Sequence, residues 1–172
     1  RGKSLLITGG PTPVPLDNIR SITTRFSGAL SIQLAREAWM RGAAVELLLG
    51  KGSRTAPEYL QAKKAANYED YKKIVHEILQ LNPFDWGIFT AAAADFQPET
   101  VFEGKIASNQ ELSLKLLPTT KLIDEVRQKF PELKMVSFKY EENISHQALM
   151  KIAKKRLSMK NGSQLVVANR VE

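Results

Sequence analysis

Leu5-Leu6-Ile7-Thr8-Gly9-Gly10-Pro11-Thr12 decides the fold of this chain. An apolar run without polar interruption reads as a strand covered on both faces, the environment of a parallel sheet. That strand runs straight into a glycine turn. Further on, a second turn, Ser27-Gly28, opens a helical pattern of Leu30, Leu34 and Ala38. Two glycine-bearing turns and a helix N-terminus can present several backbone N–H groups to an anion, and the helix dipole adds to the attraction. An ordinary Gly-Pro turn after a strand accounts for the same residues, so both readings stand at this point.

Outward from this stretch the alternation continues. Val45–Leu49, Met135–Phe138 and Leu165–Ala168 are further near-continuous apolar runs, and Trp86–Thr90 is a fifth strand candidate. Between them lie helical patterns. The first covers about Ser27 to Arg41 and stops at Gly42, a favourable residue just past a helix end. A second starts after Asn67 and carries Tyr71, Ile74, Val75 and Ile78 on one face, ending before Pro83. A third follows Thr119-Thr120 with Ile123, Val126 and Phe130 and is closed by Pro131. A fourth, capped by Ser145, carries Leu149, Ile152, Ala153 and Leu157 and is ended by Gly162.

Strands alternating with helices predict an α/β fold: a Rossmann-like three-layer sandwich with a mostly parallel sheet. Lys105–Leu117 breaks the rhythm. Lys105-Ile106-Ala107, a polar turn at Ser108–Glu111 and the alternating Leu112–Leu116 read as an added β-hairpin attached to that sheet. No linker or repeat divides the chain, so residues 1–172 read as a single domain.

Composition narrows the function classes. The 172 residues are 43% hydrophobic and 25% charged, which suits a globular domain with a full core. No apolar run approaches the roughly 18 residues needed to cross a bilayer. There is no cysteine, which excludes disulfides, thiolate metal sites and a thiol nucleophile, and fits a cytoplasmic location. A net charge of +7 suits an anionic partner. The densest basic run is Lys151, Lys154, Lys155, Arg156 and Lys160, on one helix and without an aromatic among its members. That argues for phosphorylated small molecules over nucleic acid, and a solvated helix face accounts for the same run.

In open α/β sheets ligands sit beyond the carboxyl ends of the strands, near the reversal of strand order. The residues following each strand are Gly9, Gly10 and Thr12, then Ala91–Ala94 with Asp95, then Lys139, then Asn169. Four alanines would let a ligand approach the backbone, with Asp95 supplying a charge at the rim; a helix turn or a tightly packed strand end reads the same run. Neither G-x-G-x-x-G nor a Walker P-loop is present, which argues against a dehydrogenase. Arg20, beside the first loop, is a candidate anion contact as well as an ordinary solvated arginine. His76 and His146 lack ligand-spaced partners, and Trp39 and Trp86 read as packing residues.

The ordered set ITGGPT–PLD–IR–IT, Ser27-Gly28 opening a helix, Ala91–Phe96, Gly104-Lys105-Ile106, Val136–Lys139 and Val166–Asn169 resembles phosphopantothenoylcysteine synthetase across essentially residues 4–172. This ligase of coenzyme A biosynthesis often forms the carboxy-terminal half of a bifunctional flavoprotein. The resemblance implies that 4′-phosphopantothenate is joined to L-cysteine through an acyl nucleotidylate, with Mg2+ and CTP or ATP as co-substrate. It also implies a homodimer paired through the hairpin region and a fused or associated flavin-dependent decarboxylase domain. Family domains continue past the position of Glu172 through a flap and further sheet residues.

By the same resemblance Gly9, Gly10, Ser27 and Gly28 line a phosphate cradle, and Ala91, Ala92, Asp95 and Thr120 contact the nucleotide. Phe138 would border the base with Asn169 near it, Arg156 and Lys160 would reach phosphate, and Arg20 would meet the substrate. Lys105 falls at the family's lysine position, where a flexible ammonium can follow shifting phosphate charge.

Some positions depart from the pattern. Thr24 stands where the family carries an asparagine thought to steady the acyl nucleotidylate, and a hydroxyl offers less than an amide. Ala29 replaces a basic residue. Either Arg25 substitutes, or the domain binds its ligands without efficient ligation. A nicotinamide- or flavin-dependent reductase on a similar sheet is the remaining rival.

Overall fold

The computed structural model describes residues 2–109, 111–158 and 162–171. In chain order the elements are β1 (Ser4–Gly9), β2 (Val14–Pro15), β3 (Ser21–Ile22), α1 (Ala29–Met40), β4 (Ala44–Gly50), β5 (Lys63–Ala65) and α2 (Tyr68–Leu81). They continue as β6 (Trp86–Phe89), β7 (Phe96–Pro98), β8 (Leu116–Pro118), α3 (Leu122–Lys129), β9 (Lys134–Glu142), α4 (His146–Ser158) and β10 (Leu165–Val171). A six-stranded sheet runs in the order β10-β9-β6-β1-β4-β5, and its ladders are parallel. From β1 the chain builds outward to β4 and β5, then returns across β1 to lay down β6, β9 and β10. Strand order therefore reverses between β1 and β6, the α/β fold expected.

Alternate residues of the central strands feed two cores. Leu6 and Leu48 point to one face, where they meet Phe89, Met135, Tyr71, Val75 and Ile78 of α2 and Leu122 and Val126 of α3. Ile7, Leu47 and Leu49 point to the other face, against Ala35 of α1 with Ile32, Leu34 and Ala38 packed alongside. This two-sided demand is why β1 and β4 are written as near-continuous apolar runs. Each such leucine or isoleucine, fully buried, stabilises the fold by roughly 1.5–3 kcal/mol. Gly9 serves the same packing: a Cβ there would come within 1.8 Å of the Ser31 hydroxyl, so α1 rests directly on the strand end.

Helix boundaries follow local chemistry. The Asn67 side chain accepts from the Asp70 N–H at 2.9 Å, and Glu69 and Asp70 sit in the positive first turn of α2. Ser145 caps α4 by accepting from the Ala148 N–H at 3.2 Å.

The added antiparallel ribbon exists, but other residues build it. Phe96–Pro98 pairs with Leu116–Pro118 in a separate two-stranded sheet, and Lys105-Ile106-Ala107 forms no strand. The alternation of Leu112, Leu114 and Leu116 fails to make a half-buried strand because all three side chains are exposed. Lys105 and Ile106 lie instead against the β2–β3 turn, where Asn18 donates to the Gly104 carbonyl at 3.0 Å. Also unforeseen are the β2–β3 ribbon and the edge strand β5, whose Lys63-Lys64 carries no apolar signal.

Candidate functional site

A cavity of about 590 Å³ opens at the carboxyl ends of β1, β6 and β9, where strand order reverses. Its floor comes from β1 and α1. Gly10 has φ of +80° and Gly28 has φ of +70°, a conformation that L side chains rarely adopt. The two turns also touch, since a Cβ on Gly28 would lie 3.2 Å from the Gly10 nitrogen. Gly28 caps α1 without any side-chain hydrogen bond to the helix start. The first N–H groups of α1 thus lack an intrahelical acceptor, and Ala29 and Leu30 lie in the cavity wall.

The second wall is the Ala91–Ala94 run, held as an extended loop and not as a helix. Ala92 donates to the Gly10 carbonyl at 3.0 Å, and Ala94 donates to the Thr12 hydroxyl at 2.9 Å. Thr119 in turn donates to the Ala94 carbonyl. Small side chains and a stitched backbone leave room for a ligand against the main chain. The third wall comes from Thr119–Ile123 at the start of α3, Ser137–Tyr140 of β9, Arg156 and Asn169.

Charge in the cavity favours an anion. Among the described residues its lining holds three cations, Lys121, Lys139 and Arg156, and one carboxylate, Asp95. Lys121 pairs with Asp95 at 3.1 Å and Lys139 with Glu141 at 2.7 Å. Tyr68 and Tyr71 stay neutral here, and the Tyr68 phenol donates to the Thr120 carbonyl. Burial pushes both phenols upward, outweighing the Thr119 bond on Tyr68 and the 2.9 Å contact of Tyr71 with Thr8. The Thr24 hydroxyl, also in the lining, is buried and has no partner. An unpaired buried hydroxyl costs stability unless something bonds to it.

The cavity brings together Gly10, Thr24, Ser27, Gly28, Ala91, Ala92, Asp95, Thr120, Phe138, Arg156 and Asn169, all singled out in the sequence. Gly9 is not in the lining, because α1 covers it. Arg25 and Lys105 are exposed and stand outside the lining. Arg20 does so as well: its guanidinium donates to Asp17 at 2.6 Å and to the Ile106 carbonyl at 3.1 Å. Lys160 lies outside the described residues. Sequence reasoning missed Phe26, Lys121 and Tyr140. Phe26 and Tyr140 meet edge to face across the mouth, ring centroids 6.3 Å apart, a contact no local pattern announces.

The domain is of the doubly wound α/β class, in which ligands bind beyond the strand ends at the switch point where this cavity lies. Comparison with known proteins narrows this: the chain belongs to the DNA/pantothenate metabolism flavoprotein C-terminal domain family, whose model matches residues 1–172. It is 36% identical over 169 residues to the coenzyme A biosynthesis bifunctional protein CoaBC of Thermococcus kodakarensis, covering 98% of this chain and 41% of that protein. The chain thus spans about two fifths of the length of such relatives. The crystal structure of the C-terminal domain of CoaBC superposes with a TM-score of 0.78 at 26% identity, over 94% of this chain and 74% of that one. Cab2 in complex with phosphopantothenate-cysteine shares the fold, with a TM-score of 0.80 at 21% identity over 98% of this chain and 73% of that one.

Proposed function

We propose that this domain joins 4′-phosphopantothenate to L-cysteine through an acyl nucleotidylate, with CTP or ATP as co-substrate, in coenzyme A biosynthesis. The observation that carries the proposal is the cavity itself. Uncapped N–H groups at the α1 start share a cavity walled by alanine backbone with Arg156 and with Lys121 and Lys139, the last two ion-paired, in a chain of this family. The CoaBC relatives and the phosphopantothenate-cysteine complex of a neighbour support the choice of substrates.

The chemistry requires no protein nucleophile, in keeping with a chain that has no cysteine. The substrate carboxylate attacks the α-phosphorus, an acyl–phosphate bond forms, and pyrophosphate leaves. The cysteine amine then attacks the acyl carbon, an amide forms and the nucleoside monophosphate departs. The chain's own contribution is to hold the reactants in register and to meet developing charge with donors already aimed. Gly28–Leu30 and Arg156 would bind phosphate oxygens. Thr24 would donate to the acyl nucleotidylate, and the ammonium of Lys105 would follow the departing charge. Ala91, Ala92 and Thr120 would border the nucleotide, with Phe138 and Asn169 beside the base. Magnesium would accompany the nucleotide and shield the phosphate charges, with Asp95 beside the nucleotide.

Pyrophosphate release measured with phosphopantothenate, cysteine and each nucleotide in turn tests the proposal. Release that depends on phosphopantothenate supports it and selects between CTP and ATP. Calorimetric binding of nucleotide with no release would instead make this a binding member of the family without turnover.

A further inference from the structure

We propose that Asp17 is a positioning residue for Lys105, fixing the backbone from which that lysine reaches the phosphates. The inference rests on the ligase reading for the role of Lys105, and on the following geometry for its own content. Asp17 occupies the turn of the β2–β3 ribbon, and its side chain is completely buried. One carboxylate oxygen accepts from the Ile19 N–H at 2.9 Å and the Arg20 N–H at 2.6 Å. The other accepts from the Arg20 guanidinium at 2.6 Å and from the Ile106 N–H at 3.0 Å. The last bond crosses 89 positions of sequence.

Neighbouring bonds run between the same two segments. Phe102 donates to the Leu16 carbonyl at 2.9 Å, Asn18 to the Gly104 carbonyl at 3.0 Å, and Arg20 to the Ile106 carbonyl at 3.1 Å. Residues 102, 104 and 106 are therefore tied down, while Lys105 between them is exposed. Residues 103–105 and 107–109 are exposed as well, so no apolar core holds this excursion in place. A buried carboxylate with both oxygens filled does that work instead. The ribbon that carries Asp17 leads directly through Ile22 to Thr24 in the cavity wall. One side chain thus ties the lysine segment to the ribbon that leads into a cavity residue.

The test uses the whole chain with Asp17→Asn, which keeps size but removes the charge that satisfies Arg20 and Ile106. Should Asp17→Asn fold poorly, Ile106→Pro serves as a second variant: it removes the donor on the lysine side and also restrains the backbone at Lys105 and residue 106. Amide hydrogen exchange at residues 102–107 should rise in both variants, with exchange in β1 and α1 unchanged. In pyrophosphate release, kcat should fall roughly ten- to a hundredfold with KM for the nucleotide retained. The Asp17→Asn/Lys105→Ala double variant should be no slower than Lys105→Ala alone. A purely architectural Asp17 would give additive losses and a global rise in exchange, and either result overturns the proposal, as does unchanged exchange at residues 102–107. A wild-type protein that releases no pyrophosphate would defeat the ligase reading, while the exchange measurement would still decide the tie.

Discussion

Gly28 rests against Gly10, and a Cβ added to Gly28 would sit 3.2 Å from both the nitrogen and the Cα of Gly10. The two turns that frame the cavity floor are thus one packed unit. Gly10 is the more restricted member, since a Cβ on it would fall 1.8 Å from the Ser53 hydroxyl and its φ is +80°. Gly10→Ala should lower stability by about 1–3 kcal/mol, combining left-handed strain with overpacking. Gly28→Ala should cost about 1 kcal/mol from the same strain. Both should weaken nucleotide binding by more than the stability loss alone explains, because the α1 N–H groups are displaced. Urea midpoints together with calorimetric titration of CTP and ATP would check this, and unchanged affinity in both variants would remove the cradle.

The buried, unpaired Thr24 hydroxyl allows stability and function to be separated. Thr24→Val deletes the orphan while keeping the shape, so the empty protein should gain about 1 kcal/mol. The ligation rate should fall in the same variant, because the donor to the acyl nucleotidylate is gone. Thr24→Asn should move the other way and raise the overall rate. A rate indifferent to both changes would shift the role to Arg25, which stands exposed next in the chain.

How much of this was readable beforehand depended on whether the determinant was local. The switch point was legible because β1 must be apolar on both faces while its end must be glycine, and both demands are written in adjacent residues. Ala91–Ala94 and Asn169 were legible through their place after strands, and Lys139, noted there too, lies in the lining. Lys121 was hidden because it reaches the cavity from the start of α3, where its ammonium meets Asp95 across 26 residues. The β7–β8 ribbon was misplaced for a related reason. Glu99 and Lys115 join its ends, by a backbone bond of 2.9 Å and a 2.6 Å ion pair, and no short-range turn signals that pairing. Asp17 drew no reading of its own in the sequence because its partner on Ile106 lies on a distant segment.

Asp17 and Asp85 contribute to the acid limb of stability. Burial alone would raise the Asp17 carboxyl, but hydrogen bonds from Ile106, Ile19 and Arg20 outweigh it and hold the pKa near 2. Asp85 is also held at about 2, chiefly by the Lys3 ammonium and then by the Ser4 N–H. Both folded values lie below the unfolded carboxylate value of about 3.9. The stabilisation from these groups is therefore complete above that value and is lost as pH falls toward 2. Urea midpoints measured between pH 5 and pH 2 should drop more steeply for wild type than for Asp17→Asn or Asp85→Asn. The variant curves should approach wild type at the acid end, and parallel curves throughout would contradict the assignment.

The ribbon carries the last prediction. Phe96, Leu116 and Leu117 on β7 and β8 are exposed, and Val101, Leu112 and Leu114 on the connecting excursion are exposed with them. Scattered apolar residues on a surface need no explanation, but a set gathered on one short ribbon and its loop is the kind of patch that another surface covers. We propose, on the family resemblance, that this surface is a second copy of the chain paired through the same region. A two-fold pairing would bury each of these leucines twice, so a single charge there is felt on both sides of the interface. Leu114→Glu should convert the species seen in sedimentation velocity to a monomer at micromolar concentration. Thermal stability of the isolated fold should change little, since Leu114 contributes nothing to either core. If ligation needs the paired form, the rate per chain in Leu114→Glu should fall with dilution faster than in wild type. A wild-type protein that sediments as a monomer at every concentration tried would end the pairing argument.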